Sequence, residues 1–178
     1  MDSINKNQQE DNHEDLQDFA AADRIIELVK QAKSCFFCTR SSIGPSLGVR
    51  PMSIQKTDED GTLWFLSAND SHKNAEIAED SSVKLYFQGS AHSDFLYLTG
   101  HASISEDPSL IKELWEPILK TWFTEGENDP RISVIRFAPE TGYYWDNKHG
   151  NAVAGVKMLW GAMVGKTMDD SIEGRLDV

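Results

Sequence analysis

Apolar and polar positions along the chain alternate in blocks short enough to be strands, interrupted by only three stretches of helical spacing. Leu16, Phe19, Ala22, Ile26, Val29 and Ala32 recur at the interval of one helix face, which predicts a first helix from Asp15 to about Lys33. Ser34 to Arg40 then reads as a strand. Gly48 to Lys56 and Thr62 to Ala68 read as two strands of a hairpin turning at Asp60-Gly61. A short helix is expected from Ser71 to about Ala78, capped by Asp70 or Ser71. Ser82 to Gln88 and Phe95 to Ser105 form a second strand pair. Asp107-Pro108 has the chemistry of a helix start, with Leu110, Ile111, Leu114, Trp115, Ile118 and Trp122 as its buried face and Pro117 bending it. Arg131 to Ala138 and Thr141 to Asp146 complete the strands, and Ala152 to Leu159 is either a strand or a helix. Connections this short suit antiparallel pairing, not helical crossovers. The expected fold is mainly β (α+β): a small, six-stranded antiparallel barrel with helices packed outside it.

The chain divides into a polar, acidic segment over residues 1–15, expected to be flexible, one domain over 16–166, and a C-terminal tail over 167–178. Its 178 residues suffice for one domain with a substantial core. Charge removes one class of partner. A net charge of -12 repels a nucleic-acid backbone, and no basic block offsets it. No apolar run is long enough to cross a bilayer and no secretory signal is present, so a cytoplasmic protein without a membrane partner is expected.

Cys35 and Cys38 have redox-pair spacing, but in a strand residues three apart face opposite ways, so two packed thiols are the better account. The five histidines lack metal-ligand spacing, and no metal site is expected. Gly150 to Lys157 resembles a phosphate loop without the adjacent Gly-Lys that such a loop requires, and reads instead as a turn and strand. Trp115, Trp122 and Phe123 lie at helical spacing and read as core. Trp145, at a strand end, suits either a core position or a flat wall against a planar ligand.

Arg50-Pro51-Met52-Ser53 and Asp70-Ser71-His72-Lys73 carry the candidate chemistry. Taken singly, Arg50 and Lys73 are surface cations on an acidic protein. Taken together, an arginine, a lysine, a histidine and a helix start beside a hairpin form a natural phosphate site.

Val49-Arg50-Pro51-Met52, Gly61 to Ser67, Lys73 and Glu76-Ile77 together resemble the FMN-binding split β-barrel proteins related to pyridoxamine 5′-phosphate oxidase. Leu114-Trp115, Trp122-Phe123, Asp129-Pro130 and Tyr144-Trp145-Asp146 extend the likeness to the general stress protein branch. The resemblance covers about Asp18 to Lys166. It implies a homodimer with FMN, or FAD, bound at the subunit interface. Arg50 and Lys73 would hold the phosphate with help from Ser71 and His72. Pro51 lies within the same strand motif, and backbone groups of Met52, Ser53, Phe65, Leu66 and Ser67 would line the ribityl chain and ring. Trp145 would reach the isoalloxazine from the other subunit. The chain departs from the oxidase at His72, where an arginine is usual, and it has no counterpart of the oxidase's substrate-phosphate arginines. What the resemblance implies is therefore a flavin-dependent oxidoreductase of unknown substrate, linked to stress response, with a small-molecule electron donor or acceptor. A non-catalytic flavin carrier or sensor, or a haem protein on the same barrel, are the alternatives.

Overall fold

A computed structural model describes residues 12–40, 47–91, 93–147 and 171–178. The expected elements Gly150 to Lys157 and Ala152 to Leu159 lie outside these residues. Strands are β1 (Leu16–Gln17), β2 (Ser34–Thr39), β3 (Val49–Ser53), β4 (Lys56–Thr57), β5 (Leu63–Ala68), β6 (Ser82–Gln88), β7 (Phe95–Ser105), β8 (Ile132–Asn147) and β9 (Ser171–Asp177). Helices are α1 (Asp18–Ala32), α2 (His72–Glu79) and α3 (Pro108–Leu114), with a 3-10 turn at Pro117–Thr121.

The order β3-β2-β6-β7-β8 is antiparallel throughout, and the long β8 serves two further partners: β5 along Ile132–Phe137 and β9 along Thr141–Asn147. The ring closes in an unexpected way. Val49 to Ser53 pairs with β2, whereas only Lys56 and Thr57 pair with β5. One segment thus passes from one side of the barrel to the other, and the expected hairpin of Gly48–Lys56 with Thr62–Ala68 reduces to its turn end, Lys56 and Thr57 against Trp64 and Leu63. The alternation of Val49 to Lys56 fits either neighbour equally, so local pattern could not choose between them.

Alternation aims Phe37, Phe65, Leu85, Leu98, Ile135 and Phe137 into the barrel, all fully buried. Helix α1 closes this interior with Ala21, Ala22, Ile25, Leu28 and Val29. That face is rotated from the expected one: Phe19 is 85% exposed. The small Ala21 and Ala22 bring the helix close to the strands, and Ile25 and Ala22 pack against the turn at Gly61. The expected long helix beyond Asp107 is also corrected. Pro117 opens a separate 3-10 turn instead of bending one helix, which leaves Ile118 and Trp122 in solvent while Ile111, Leu114, Leu119 and Phe123 cover the outer face of β5 and β8.

Residues 12–17 and 171–177 are tied into the sheet more firmly than their polar composition suggests. Residues 171–177, read as tail, form β9, and residues 12–17 lie along it. Glu14 donates its N–H to Glu173 O at 2.9 Å, and Glu173 N–H reaches Asn12 O at 2.9 Å. The Tyr144 hydroxyl donates to Glu14 O at 2.9 Å, and Leu16 and Gln17 pair with Leu176 and Asp177 in parallel. Gly174 permits this close approach, because a Cβ there would sit 1.8 Å from Glu14 O. Gly174→Ala should dislodge the strap at a cost of about 1–3 kcal/mol. The measurement is a lower urea midpoint with new proteolytic cleavage near residue 15; an unchanged midpoint would show that the strap contributes nothing.

Candidate functional site

Strand β5 ends at Ala68, and the chain turns directly into α2. Ser71 caps that helix, its Oγ accepting the Asn74 N–H at 3.3 Å. A chain of buried polar groups locks the helix start onto the sheet. Ser67 Oγ donates to Asn74 Oδ1 at 2.9 Å, Asn74 Nδ2 to Ser133 Oγ at 2.7 Å, and Ser133 Oγ to Ser67 O at 3.1 Å. Every member is satisfied, as such networks require. The orientation of the next helical turn is thereby fixed, and with it Lys73 and Glu76.

Arg50 lies on the inward face of β3, in register with Phe37 of β2. Its guanidinium donates to Glu76 Oε2 at 2.6 Å through one terminal nitrogen and to Thr39 Oγ1 at 3.1 Å through the other. The Thr39 hydroxyl lies 2.6 Å from the same carboxylate oxygen. Glu76 is fully buried and Lys73 is only 9% exposed. Burial, and then the Arg50 charge, pull the Lys73 ammonium down to about 8, against the raising effect of Glu76. Two cations and one carboxylate leave this pocket with a surplus positive charge. Among the described residues, no ion pair or hydrogen bond engages the Lys73 ammonium. A buried, unpaired cation is costly and is what an incoming anion would relieve. The donor set therefore fits a phosphate group.

Ser67 and Ser71 share one hydrogen-bonded group with Asn74, and Lys73 lies within electrostatic reach of Arg50. His72 points to the exposed side of α2. Met52 packs half-buried against the barrel interior, and Pro51 and Ser53 face outward. Phe65 is core, edge-on to Phe37 with ring centroids 5.4 Å apart, and Leu66 faces α3. The backbone edge of β3 away from β2, and that of β5 beyond Trp64, carry no strand partner among the described residues. These two open edges, rather than the single hairpin edge expected, offer N–H and C=O groups near the cations.

Trp145 is not part of this cluster. It stands 44% exposed on the outward face, next to Tyr143 at 4.7 Å between ring centroids. There it lines a cleft of about 560 Å³ with Cys35, Phe36, Pro51, Phe95 and Tyr97. Arg24, bound to Asp146 at 2.9 Å, steadies the strand at this point. The two cysteines behave as expected of a strand: Cys35 is buried inward, Cys38 half-buried outward, and burial pushes Cys35 up to about 12 and Cys38 upward too. Neither is poised as a thiolate.

Sequence reading missed Thr39, Asn74, Glu76 and Ser133 as members of the site. Glu76 carried one usable signal, its position three residues after Lys73, which places both on one helical face.

Residues 20–169 match the family model described as pyridoxamine 5′-phosphate oxidase like. The chain belongs to that family. A curated relative, protein bli-3 of Neurospora crassa, is 31% identical over 121 residues, spanning 63% of this chain and 58% of that protein. Among solved structures, a protein described as general stress protein 26 from a Jannaschia species superposes with a TM-score of 0.71 at 18% identity, covering 88% of this chain and 97% of its own. A general stress FMN/FAD binding protein from Xanthomonas citri gives 0.59 at 20% identity, over 68% and 85%. A pyridoxamine 5′-phosphate oxidase homologue from Listeria innocua gives 0.56 at 30% identity, over 68% and 94%. The family's split barrel accounts for the crossing segment between β2 and β5. None of the described helices is long and apolar enough to cross a membrane.

Proposed function

We propose that this protein binds FMN between two copies of the chain and serves as a flavin-dependent oxidoreductase, its substrate unidentified. The observation that carries this reading is the convergence at the capped start of α2 of Arg50 and the buried Lys73, whose ammonium no described residue pairs. The phosphate would sit against these two cations, and the open edges of β3 and β5 would receive the ribityl chain and ring edge. Bound there, the flavin supplies the electron chemistry, while this chain orients it and shields one face.

The second copy enters through the outward face. Phe36, Tyr86 and Trp145 are large apolar side chains exposed together there, at 58%, 44% and 44%. A clustered patch of this kind marks an interaction surface. Since Trp145 and Arg50 occupy opposite faces of one sheet, a Trp145 covering a flavin at the cation site comes from the partner, in agreement with the homodimer that the resemblance implies. The Xanthomonas citri relative's description as FMN/FAD binding supports the ligand class.

The test is the cofactor content of protein purified without added flavin: a yellow dimer with one FMN per chain is expected, and a colourless protein that fails to take up FMN on titration would refute the reading. Anaerobic mixing of the holoprotein with NADH or NADPH separates an oxidoreductase, whose flavin bleaches, from a carrier, whose flavin does not. Trp145→Ala should raise the residual fluorescence of bound flavin several-fold, because a stacked indole quenches it; fluorescence equal to the parent's would remove Trp145 from the ring.

A further inference from the structure

Buried inside the cation cluster is a carboxylate that a phosphate site would not need for attraction. Glu76 adds a negative charge exactly where an anion is expected, yet it is fully buried and lies 2.6 Å from both the Arg50 guanidinium and the Thr39 hydroxyl. Left without Glu76, Arg50 and Lys73 would confront each other in a medium of low effective dielectric, where like charges repel strongly. We propose that Glu76 is a positioning residue: its carboxylate fixes the Arg50 guanidinium against β2 and balances its charge, so that Arg50 and Lys73 stand together before any phosphate arrives. This rests on the phosphate reading above and adds to it which residue assembles the site.

Two physical consequences make the role measurable. Preorganisation lowers the cost of binding, because the guanidinium is already held in one orientation by Glu76 and Thr39. Glu76 also favours the charged form of Lys73, whose proton is otherwise loosened by burial and by Arg50. Those two groups, one on β3 and one on α2 itself, act on the ammonium. On the strands packed against α2, Cys38 of β2 responds to Arg50 and Lys84, and His101 of β7 is engaged by Ser81 and Glu140. Removing the carboxylate should therefore let Lys73 lose its proton at lower pH.

The experiment compares FMN with riboflavin, which has the same ring and ribityl chain but no phosphate. The flavin-free full-length protein is titrated with each at pH values from about 6 to 9.5. The parent should prefer FMN by roughly 150-fold or more at neutral pH, two charged hydrogen bonds being lost with the phosphate. That preference should decline as pH rises through about 8. In Glu76→Gln the decline should begin at lower pH, and the preference at pH 8 should fall several-fold, with riboflavin affinity unchanged. The midpoint is the telling quantity, since a neutral residue 76 also removes a repulsion that acts equally at every pH. A Glu76→Gln protein with the parent's midpoint and preference would overturn the proposal. A parent that binds riboflavin as tightly as FMN would instead overturn the phosphate reading on which it stands. Should Glu76→Gln fail to fold, Glu76→Asp serves: it keeps the charge but shortens the reach to Arg50, and an FMN preference equal to the parent's would likewise overturn the positioning role.

Discussion

Lys73→Ala should weaken FMN binding by about 10- to 150-fold, the equivalent of one charged hydrogen bond, while leaving riboflavin affinity unchanged. The same substitution should make the flavin-free protein more stable. In the folded chain the Lys73 ammonium is depressed to about 8 from an unfolded value of 10.5. The unfolded state therefore holds more protons between those limits, and below them folding pays to bury the charge. Apo-protein stability should rise with pH across that window, by an amount on the order of 3 kcal/mol, and Lys73→Ala should abolish the rise. Flavin titrations and urea melts at three pH values measure both effects. Loss of FMN affinity accompanied by loss of riboflavin affinity would assign Lys73 to the ring instead of the phosphate. An apo-protein whose stability is flat with pH would mean that the ammonium is solvated.

Gly100→Val should be the most damaging single change in the barrel. Gly100 sits where the β7–β8 register shifts, opposite Pro139, and a Cβ there would lie 2.1 Å from Ala138 O and 2.9 Å from Pro139 Cα. Both neighbours are backbone in the longest strand of the sheet, so no side-chain adjustment relieves the clash. A loss of about 3–5 kcal/mol is expected, seen as a fall of roughly 10 °C or more in melting temperature or as insoluble expression. A melting temperature within a few degrees of the parent's would show that the irregularity at Pro139 can slide. The same pair explains a difference from expectation. Arg131 to Ala138 and Thr141 to Asp146 read as two strands in the sequence; the structure makes them one by placing Pro139, which cannot donate to a ladder, at the irregularity, facing the residue that has no side chain.

Much of the fold was legible in the chain because the relevant signals are local. Period-two alternation located β2, β5, β6 and β7 within a residue or two, and Ser71 and Asp107 announced the helices they cap. In α1 the signal was ambiguous, since the expected face of Phe19, Ala22, Ile26 and Val29 and the buried face of Ala21, Ala22, Ile25, Leu28 and Val29 overlap at Ala22 and Val29. Only packing against the Gly61 turn selected the second. Residues 171–177 gave too little pattern to be read as a strand, because their only apolar side chains are Ile172 and Leu176 and their place between β8 and β1 is set by those distant partners.

Of the candidate site, the sequence by itself determined the cations, the helix cap and their order, because capping and charge at a helix start depend on residues within one turn. Only the tertiary structure decided that Arg50 faces inward to Glu76 and Thr39, that Asn74 and Ser133 anchor α2, and that Trp145 stands on the opposite face of the sheet. Those relations join residues tens of positions apart, and chain geometry within a single element carries no information about which distant strand will lie beside it.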